Sequence, residues 1–260
     1  MYFDMLGCEK WRTGHCEKCP DKRSLINLSA RNFRIKKDMI SSLKSLTFVP
    51  VSDWLHDLLK QSVHANREVV TIHNGIDLKR FHPCSEDLSK NQREKFAILG
   101  VAAVWDARKG LEDFKRLRAM LPGEYEITLV GLSEAQIKSL PSGIKGIRRT
   151  QNVEEMVKLY SSSNVFVNPT YSDNFPTVNV EALACGTPVI TYKTGGSPEA
   201  IDAQTGVVVK CGDIQGLADS IVAMKQKPLD PAACRARAEC LYDKDTCFTE
   251  YISIYNSLLG

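Results

Sequence analysis

From residue 96 onward, short apolar runs alternate with longer segments whose apolar residues recur at helical spacing. "FAILGVAA" (96–103), "YEITLVGL" (125–132), "NVFVNPT" (164–170), "PVITYK" (188–193) and "TGVVVK" (205–210) have almost no polar face. That is the pattern of strands covered on both sides. "GIKGIRR" (143–149) is a weaker run of the same kind. Between them, "GLEDFKRLRAML" (110–121), "SEAQIKSL" (133–140), "VEEMVKLYSSS" (153–163), "TVNVEALAC" (177–185) and "IQGLADSIVAMKQ" (214–226) predict helices. "SPEAID" (197–202) predicts a short one, with Ser197 as its cap and Pro198 at its first position. Strand and helix alternating with short connections predict an α/β fold: a doubly wound, Rossmann-like parallel sheet with helices on both faces. The tail from Pro231 predicts one further helix, "DTCFTEYISIYNSLL" (245–259).

Before residue 96 the pattern is less regular. "SARNFRIKKDMISSLKSL" (29–46) predicts a basic helix and "LTFVPVS" (46–52) a short strand. Asp53 then suits the cap of a helix over "WLHDLLKQS". "EVVTIHN" (68–74) predicts a strand and "NGID" (74–77) a turn. "FHPCSEDLSKNQREK" (81–95) is polar, carries a proline and reads as a linker. Residues 1–30 look irregular. No repeat or low-complexity tract interrupts the chain.

Composition narrows the classes. The 260 residues are 43% hydrophobic and 25% charged, enough for a sizeable core. A net charge of +3 is too weak to argue for a nucleic-acid partner. Local clusters, "RIKK" (34–37) and "IRR" (147–149), still suit phosphates or an anionic membrane surface. Nine scattered cysteines do not make a secreted disulfide scaffold, so a reduced, cytosolic compartment is expected. No apolar run approaches the ~20 residues that span a bilayer. Cys8, His15, Cys16 and Cys19 crowd together, and C-x-x-C with a third Cys and a His fits zinc chemistry. The Cys8-to-Cys16 spacing is not that of a finger, and no second C-x-x-C follows. Reduced structural thiols, and no metal, are the expectation.

In a doubly wound sheet, ligands bind where the strands end at their carboxyl edges. The loops there carry the candidate chemistry. "DARKG" sets Arg108 and Lys109 beside helix-entry N–H groups, an arrangement suited to phosphate. "TGGSPE" offers Gly195 and Gly196, where backbone can approach a ligand closely. Asp173 stands at a strand-to-helix corner, and Glu181 follows inside the helix among apolar neighbours. An idle acid is poorly placed there, whereas a carboxylate facing the crevice chelates the hydroxyls of a ribose. Neither G-x-G-x-x-G nor G-x-x-x-x-G-K-[ST] occurs, which argues against an NAD enzyme and a P-loop NTPase.

"YSDNFPTVNVEALACGTPVITYKTGGSPEAI" resembles the signature of family 4 glycosyltransferases, retaining enzymes of the two-domain GT-B fold. "VWDARKGLEDF" resembles that family's phosphate-binding segment. "IHNGIDLKRFHP" resembles the segment closing its N-terminal domain. "CEKWRTGHCEKCP" is similar to a stretch in bacterial members that build surface polysaccharides such as lipopolysaccharide and capsule. The four motifs fall in the family order.

The resemblance implies a nucleotide-diphosphate sugar, UDP- or GDP-linked, as donor. It implies a polysaccharide or lipid-linked oligosaccharide as acceptor, and no metal or other cofactor. Lys109, with Arg108, would neutralise the diphosphate. Glu181 would hold the ribose hydroxyls and Asp173 the donor sugar. Backbone N–H groups of Asn174, Phe175, Thr177 and Val178 would face sugar and phosphates, with Gly195 and Gly196 close by. The loop at Thr150 would meet the base. Asp173 replaces the family's usual Glu, Ala103 stands where many members carry Arg, and Pro176 has no N–H to donate.

The resemblance further implies that residues 1–83 are the C-terminal end of an acceptor domain, 84–95 a linker and 96–260 the donor domain. Most of the acceptor domain would then be missing, through truncation, a misplaced start or a split enzyme whose other chain supplies it. A cytosolic protein, peripheral to the inner membrane, is expected. A non-catalytic nucleotide-sugar-binding fragment is the alternative, and an epimerase of similar architecture is a third.

Overall fold

The computed structural model describes residues 8–12, 28–84 and 94–259. His15, Cys16 and Cys19, and most of the expected linker, lie outside the described residues. The chain packs as two compact units, Met1–Ile72 and His73–Gly260.

In the first unit, α1 (Ser29–Ser41) precedes β1 (Thr47–Phe48), α2 (Asp53–Lys60) and β2 (Glu68–Val69). β1 and β2 pair in parallel, Thr47 with Glu68 and Phe48 with Val69. Beyond the ladder, the Val70 and Ile72 amides donate to the Phe48 and Pro50 carbonyls. The cap of α2 is Ser52, not Asp53: the buried Ser52 hydroxyl accepts from the Leu55 amide at 3.2 Å. Asp53 becomes the first helical residue, where its charge favours the helix dipole. α2 buries Leu58 and Leu59, whereas α1 buries none of its residues.

The second unit is built on six parallel strands: β3 (Phe96–Val101), β4 (Tyr125–Val130), β5 (Ile144–Ile147), β6 (Val165–Asn168), β7 (Val189–Tyr192) and β8 (Gly206–Val209). Their spatial order is β5-β4-β3-β6-β7-β8. The chain winds outward from β3 to one edge, then returns to β6 and winds to the other. The junction of β3 with β6 is the point where the order reverses, the place at which sheets of this kind bind ligands beyond the strand ends.

The helices are α3 (Leu111–Met120), α4 (Glu134–Lys138), α5 (Val153–Ser162), α6 (Thr177–Ala184), α7 (Ile214–Gln226), α8 (Pro231–Leu241) and α9 (Lys244–Leu259). Phe96, Ile98, Ile127, Leu129 and Ile190 share one core with Phe114 and Leu117 of α3 and Leu217 and Ile221 of α7. Alternate strand residues, such as Leu99 and Phe166, are equally buried outside that cluster, on the face that α5 and α6 approach. Helices therefore cover both faces, as the alternation predicted. Ser133, Asn152, Asp213 and Asp230 cap α4, α5, α7 and α8 with their side chains.

Two local expectations change. α8 is an additional helix in the tail. Its sequence, "PAACRARAECL", buries only Cys234 and Ala238, so its apolar stripe is too small to stand out. It is held largely by arginines: Arg235 donates to the Phe81 and Ala184 carbonyls at 2.6 and 3.0 Å, and Arg237 to the Ala200 carbonyl at 2.8 Å. The short helix Ser197–Ala200 is a 3-10 turn with Gly196 before it, so Ser197 is its first residue and not its cap. No described helix is long and apolar enough to cross a membrane.

Candidate active site

Three loops meet at the strand ends around the switch point: 102–110 after β3, 169–176 after β6 and 193–196 after β7. In the first, the Trp105 indole donates to the Val130 carbonyl at 2.8 Å, which ties the loop to the end of β4. Asp106 caps a 3-10 turn, Ala107–Lys109, through the Arg108 amide. The N–H groups of Arg108 and Lys109, expected to be open to a ligand, are thus satisfied by Asp106. Asp106 also holds the Arg108 guanidinium, at 2.8 and 3.0 Å, and Arg108 points largely into solvent. That pairing lowers the Asp106 carboxyl below its ordinary range, chiefly through the hydrogen bond from Arg108.

Lys109 turns the other way. Its Nζ meets Asp173 Oδ2 at 2.6 Å, and both side chains are mostly buried. Asp173 is on the loop after β6, so the pair bridges the two strands that flank the switch. The approach of the loops is fixed by backbone. The Tyr171 amide donates to the Arg108 carbonyl at 2.7 Å. Gly110 has φ 74°, and a Cβ there would lie 2.4 Å from the Pro169 carbonyl oxygen. Only glycine permits both the conformation and the contact.

The third loop is stitched to the second. The Gly196 amide donates to the Asp173 carbonyl at 3.3 Å, and the Thr194 hydroxyl to the Thr170 carbonyl at 2.7 Å. A Cβ on Gly195, at φ 51°, would stand 1.9 Å from the Asp173 carbonyl oxygen. Beneath these loops runs a fully buried polar chain. The Asn168 amide donates to the Asn179 side-chain carbonyl at 2.8 Å, and the Asn179 amide to Ser197 Oγ at 3.1 Å. Thr191 Oγ1 lies 2.7 Å from Ser197 Oγ. Every member is satisfied, so the chain locks β6, α6, β7 and the 197–200 turn in one register. Ser197, expected as a cap, serves this network instead.

α6 begins at Thr177 behind Pro176, and no side chain caps it. The Asn179 amide donates to the Pro176 carbonyl, and the amides of Thr177 and Val178 are the ones that can meet an anion in front of the helix. Phe175 is buried against the ring of His73 at 4.8 Å and of Tyr242 at 5.6 Å. One turn into α6, Glu181 accepts from the Tyr160 hydroxyl at 2.9 Å, and the Thr177 hydroxyl one turn before it also favours the charged form. Burial raises the Glu181 carboxyl above its ordinary range, and those two hydroxyls oppose the shift. Glu181 is thus neither surface charge nor orphaned. Thr150 lies in the loop between β5 and α5, across β4 and β3 from the switch point. The structure joins Lys109, Asp173, Gly195 and Gly196 in one contact network, and gathers Thr177 and Glu181 on α6. Arg108 and Thr150 stand outside both groups.

Several organising residues have partners that the sequence does not reveal. Asp113, in α3, is buried, and its Oδ2 accepts from the hydroxyls of Tyr171 at 2.8 Å and Tyr192 at 2.9 Å. The tyrosine rings meet edge to face at 5.6 Å. His73 Nε2 lies 3.1 Å from Glu199 Oε2. A charged residue beside core positions of a helix is visible in sequence, but its partners on distant loops are not.

A mostly buried cation and acid on facing loops, an uncapped helix start and a hydroxyl-oriented carboxylate have the chemistry to meet a polyhydroxylated, anionic ligand. The chain is 33% identical over 190 residues to D-inositol 3-phosphate glycosyltransferase of Mycolicibacterium smegmatis, a match over 65% of this chain and 42% of that protein. It is 25% identical over 203 residues to N,N'-diacetylbacillosaminyl-diphospho-undecaprenol alpha-1,3-N-acetylgalactosaminyltransferase of Campylobacter jejuni, covering 71% of this chain and 53% of that one. The chain thus spans about half the length of these relatives or less.

Among solved structures, sucrose-phosphate synthase from Thermosynechococcus elongatus superposes with a TM-score of 0.75 at 23% identity, covering 93% of this chain and 64% of that one. Anabaena HepE in complex with UDP-glucose superposes with a TM-score of 0.71 at 21% identity, covering 87% and 68%. These likenesses establish the fold as that of GT-B glycosyltransferases. The family model described as "Glycosyl transferases group 1" matches residues 95–227, so the chain belongs to the group 1 glycosyl transferases.

Proposed function

We propose that this chain carries the donor site of a retaining family 4 sugar transferase. The enzyme moves a hexose from a nucleotide diphosphate to a surface polysaccharide or a lipid-linked oligosaccharide. The observation that carries this reading is the Lys109–Asp173 pair across the switch point, with the uncapped start of α6 beside it. Relatives support it: one, by its name, acts on a diphospho-undecaprenol-linked sugar, and one solved neighbour holds UDP-glucose.

In this reading residues 96–260 bind the donor, 84–95 link, and 1–83 belong to the acceptor side. The diphosphate lies between Lys109 and the first turn of α6, and the amides of Asn174, Phe175, Thr177 and Val178 line its path. As the glycosidic bond to the diphosphate breaks, negative charge grows on the leaving phosphate. A fixed cation and a helix N-terminus stabilise that charge more than the ground state, which is electrostatic catalysis. Asp173 is one methylene shorter than the family's Glu, and contacts a sugar hydroxyl from the same corner. Gly195 and Gly196 keep the wall beside the sugar free of side chains. Glu181 takes the ribose hydroxyls, and backbone around Thr150 takes the base. Arg108 adds a second cation by leaving Asp106. The lipid-linked acceptor brings the protein to the cytosolic face of the inner membrane.

The test is thermal unfolding of the purified chain with UDP and with GDP. A ligand that binds only the native state raises Tm. A rise with one of them, abolished in Lys109→Ala, is expected; no rise with either overturns the donor-site reading. Sugar transfer assayed with the chain alone separates an active enzyme from a binding fragment.

A further inference from the structure

Tyr160 belongs to α5, away from every loop of the site, yet its hydroxyl reaches the carboxylate of Glu181 on α6. The residue is 0% exposed. Its ring packs edge to face on Phe166 at 5.5 Å, and its carbonyl accepts from the Thr187 hydroxyl at 2.6 Å. Both contacts hold the phenol where it is. From there the hydroxyl donates to Glu181 Oε2 at 2.9 Å. The Thr177 hydroxyl, one turn before Glu181 on α6, also favours the charged carboxylate.

A carboxylate has about four acceptor directions. On a flexible side chain it can rotate to meet almost any donor, but it then loses rotamer freedom on binding. A donor held on the neighbouring helix removes much of that freedom beforehand. It fixes the Glu181 carboxylate and leaves its remaining lone pairs pointing at fixed places. Two vicinal hydroxyls at a fixed spacing suit such an acceptor, and a sugar lacking one of them leaves a lone pair unmatched.

We propose that Tyr160 is a positioning residue that makes this site select ribose over 2′-deoxyribose. The inference rests on the reading of Glu181 as the ribose contact. It assigns to a buried tyrosine, which touches no ligand, a share of the nucleotide's discrimination. A purely structural tyrosine would instead fill space between α5 and α6 and affect every ligand alike.

Calorimetric titration of the wild-type chain, Tyr160→Phe and Glu181→Ala with UDP, 2′-deoxy-UDP, GDP and 2′-deoxy-GDP distinguishes these cases. The wild type is expected to prefer the ribose form of its nucleotide by about tenfold. Tyr160→Phe removes one oxygen and keeps the ring on Phe166. It is expected to bind the ribose form several-fold more weakly and the deoxy form unchanged, so the preference collapses. Glu181→Ala should collapse it equally, and the double variant should lose nothing more. If Tyr160→Phe weakens both forms alike, or neither, the positioning role is wrong. If Glu181→Ala keeps the preference, or the wild type binds no nucleotide, the reading of Glu181 fails and the inference with it. Should Tyr160→Phe not fold, Thr177→Val removes the other hydroxyl that favours the charged Glu181, with the same expected collapse and the same overturning outcomes.

Discussion

Lys109 and Asp173, 64 residues apart in the chain, meet at 2.6 Å across the junction of β3 and β6. Their loops are brought together by the Tyr171 amide donating to the Arg108 carbonyl and by Gly110, whose Cβ would collide with Pro169. The pair is therefore imposed by the fold and not assembled by the charges themselves. It also means that the cation proposed to hold the diphosphate already has an acid on it. A diphosphate must share Lys109 with Asp173 or displace it.

This competition separates two variants. Lys109→Ala loses a charge-assisted contact of about 1.5–3 kcal/mol, so affinity for the nucleotide diphosphate falls roughly 10- to 100-fold. Asp173→Asn keeps the shape and removes the competing charge. Its affinity for the sugar-free diphosphate is expected to rise a few-fold, while transfer from the intact nucleotide-sugar falls. Titration calorimetry and a transfer assay read the two effects. Equal losses of diphosphate affinity in both variants would remove Asp173 from the sugar side of the site.

Gly195 has φ 51° and no room for a side chain beside Asp173. Gly195→Ala imposes an unfavourable backbone conformation, about 1–3 kcal/mol, in addition to the clash. A lower urea midpoint and weakened nucleotide-sugar binding are both expected, because the contact displaces Asp173. Gly123 is the control: a Cβ there meets nothing within 4 Å. Gly123→Ala should leave both measurements nearly unchanged, and equal destabilisation by the two would refute a specific role for the Gly195–Asp173 contact.

The doubly wound sheet was legible because its strands are continuous apolar runs and its helices keep a clear period. "FAILGV" and "VFVN" have nowhere to lie except inside. α8 was not legible, since small Ala and Cys side chains mark its buried face and arginine-to-carbonyl bonds hold it. Lys109, Asp173 and Glu181 were visible as charged residues at strand ends or among apolar neighbours. Which of them touch was not, because pairing across a switch point joins segments that sequence spacing does not relate. The same limit hid Asn168, Asn179, Thr191 and Ser197. Each reads as an ordinary polar residue until the fold aligns them. Caps differ by one residue for a related reason: Ser52 and Asp53 are both good N-caps, and the burial of the Ser52 hydroxyl against the Leu55 amide decides between them.

Asp113 makes a prediction outside the crevice. It joins α3 to Tyr171 on the site loop and to Tyr192 on β7. Burial, then Asp113, pushes the Tyr192 hydroxyl far above the ordinary tyrosine range. Asp113→Ala strands the buried Tyr192 hydroxyl, at a cost of about 1–3 kcal/mol, whereas Tyr171, 41% exposed, can turn to water. A urea midpoint clearly below wild type is expected, with Tyr171→Phe affected less than Tyr192→Phe. The reverse order would mean that the site loop, and not the core, depends on this carboxylate.

Glu181 sets binding against stability. Burial favours its neutral form, so its carboxyl titrates above the ordinary value in the folded protein. For an acid raised on folding, the favourable linkage is fully present below the unfolded pKa and is lost as pH rises through the folded pKa. At neutral pH the carboxylate is charged and carries its desolvation penalty, softened by Tyr160 and Thr177. Glu181→Gln keeps the shape and an acceptor for Tyr160 but has no charge to desolvate. The variant is expected to have a higher urea midpoint than wild type at pH 7.5. That gap should narrow on acidification toward the ordinary glutamate range, as wild-type Glu181 takes up a proton. Nucleotide affinity should fall at pH 7.5, because a neutral amide accepts more weakly from ribose hydroxyls. A gap that stays constant with pH would show that the two hydroxyls fully offset burial. A gap of opposite sign would make Glu181 a stabilising residue in its own right, and the exchange of stability for ligand binding would be refuted.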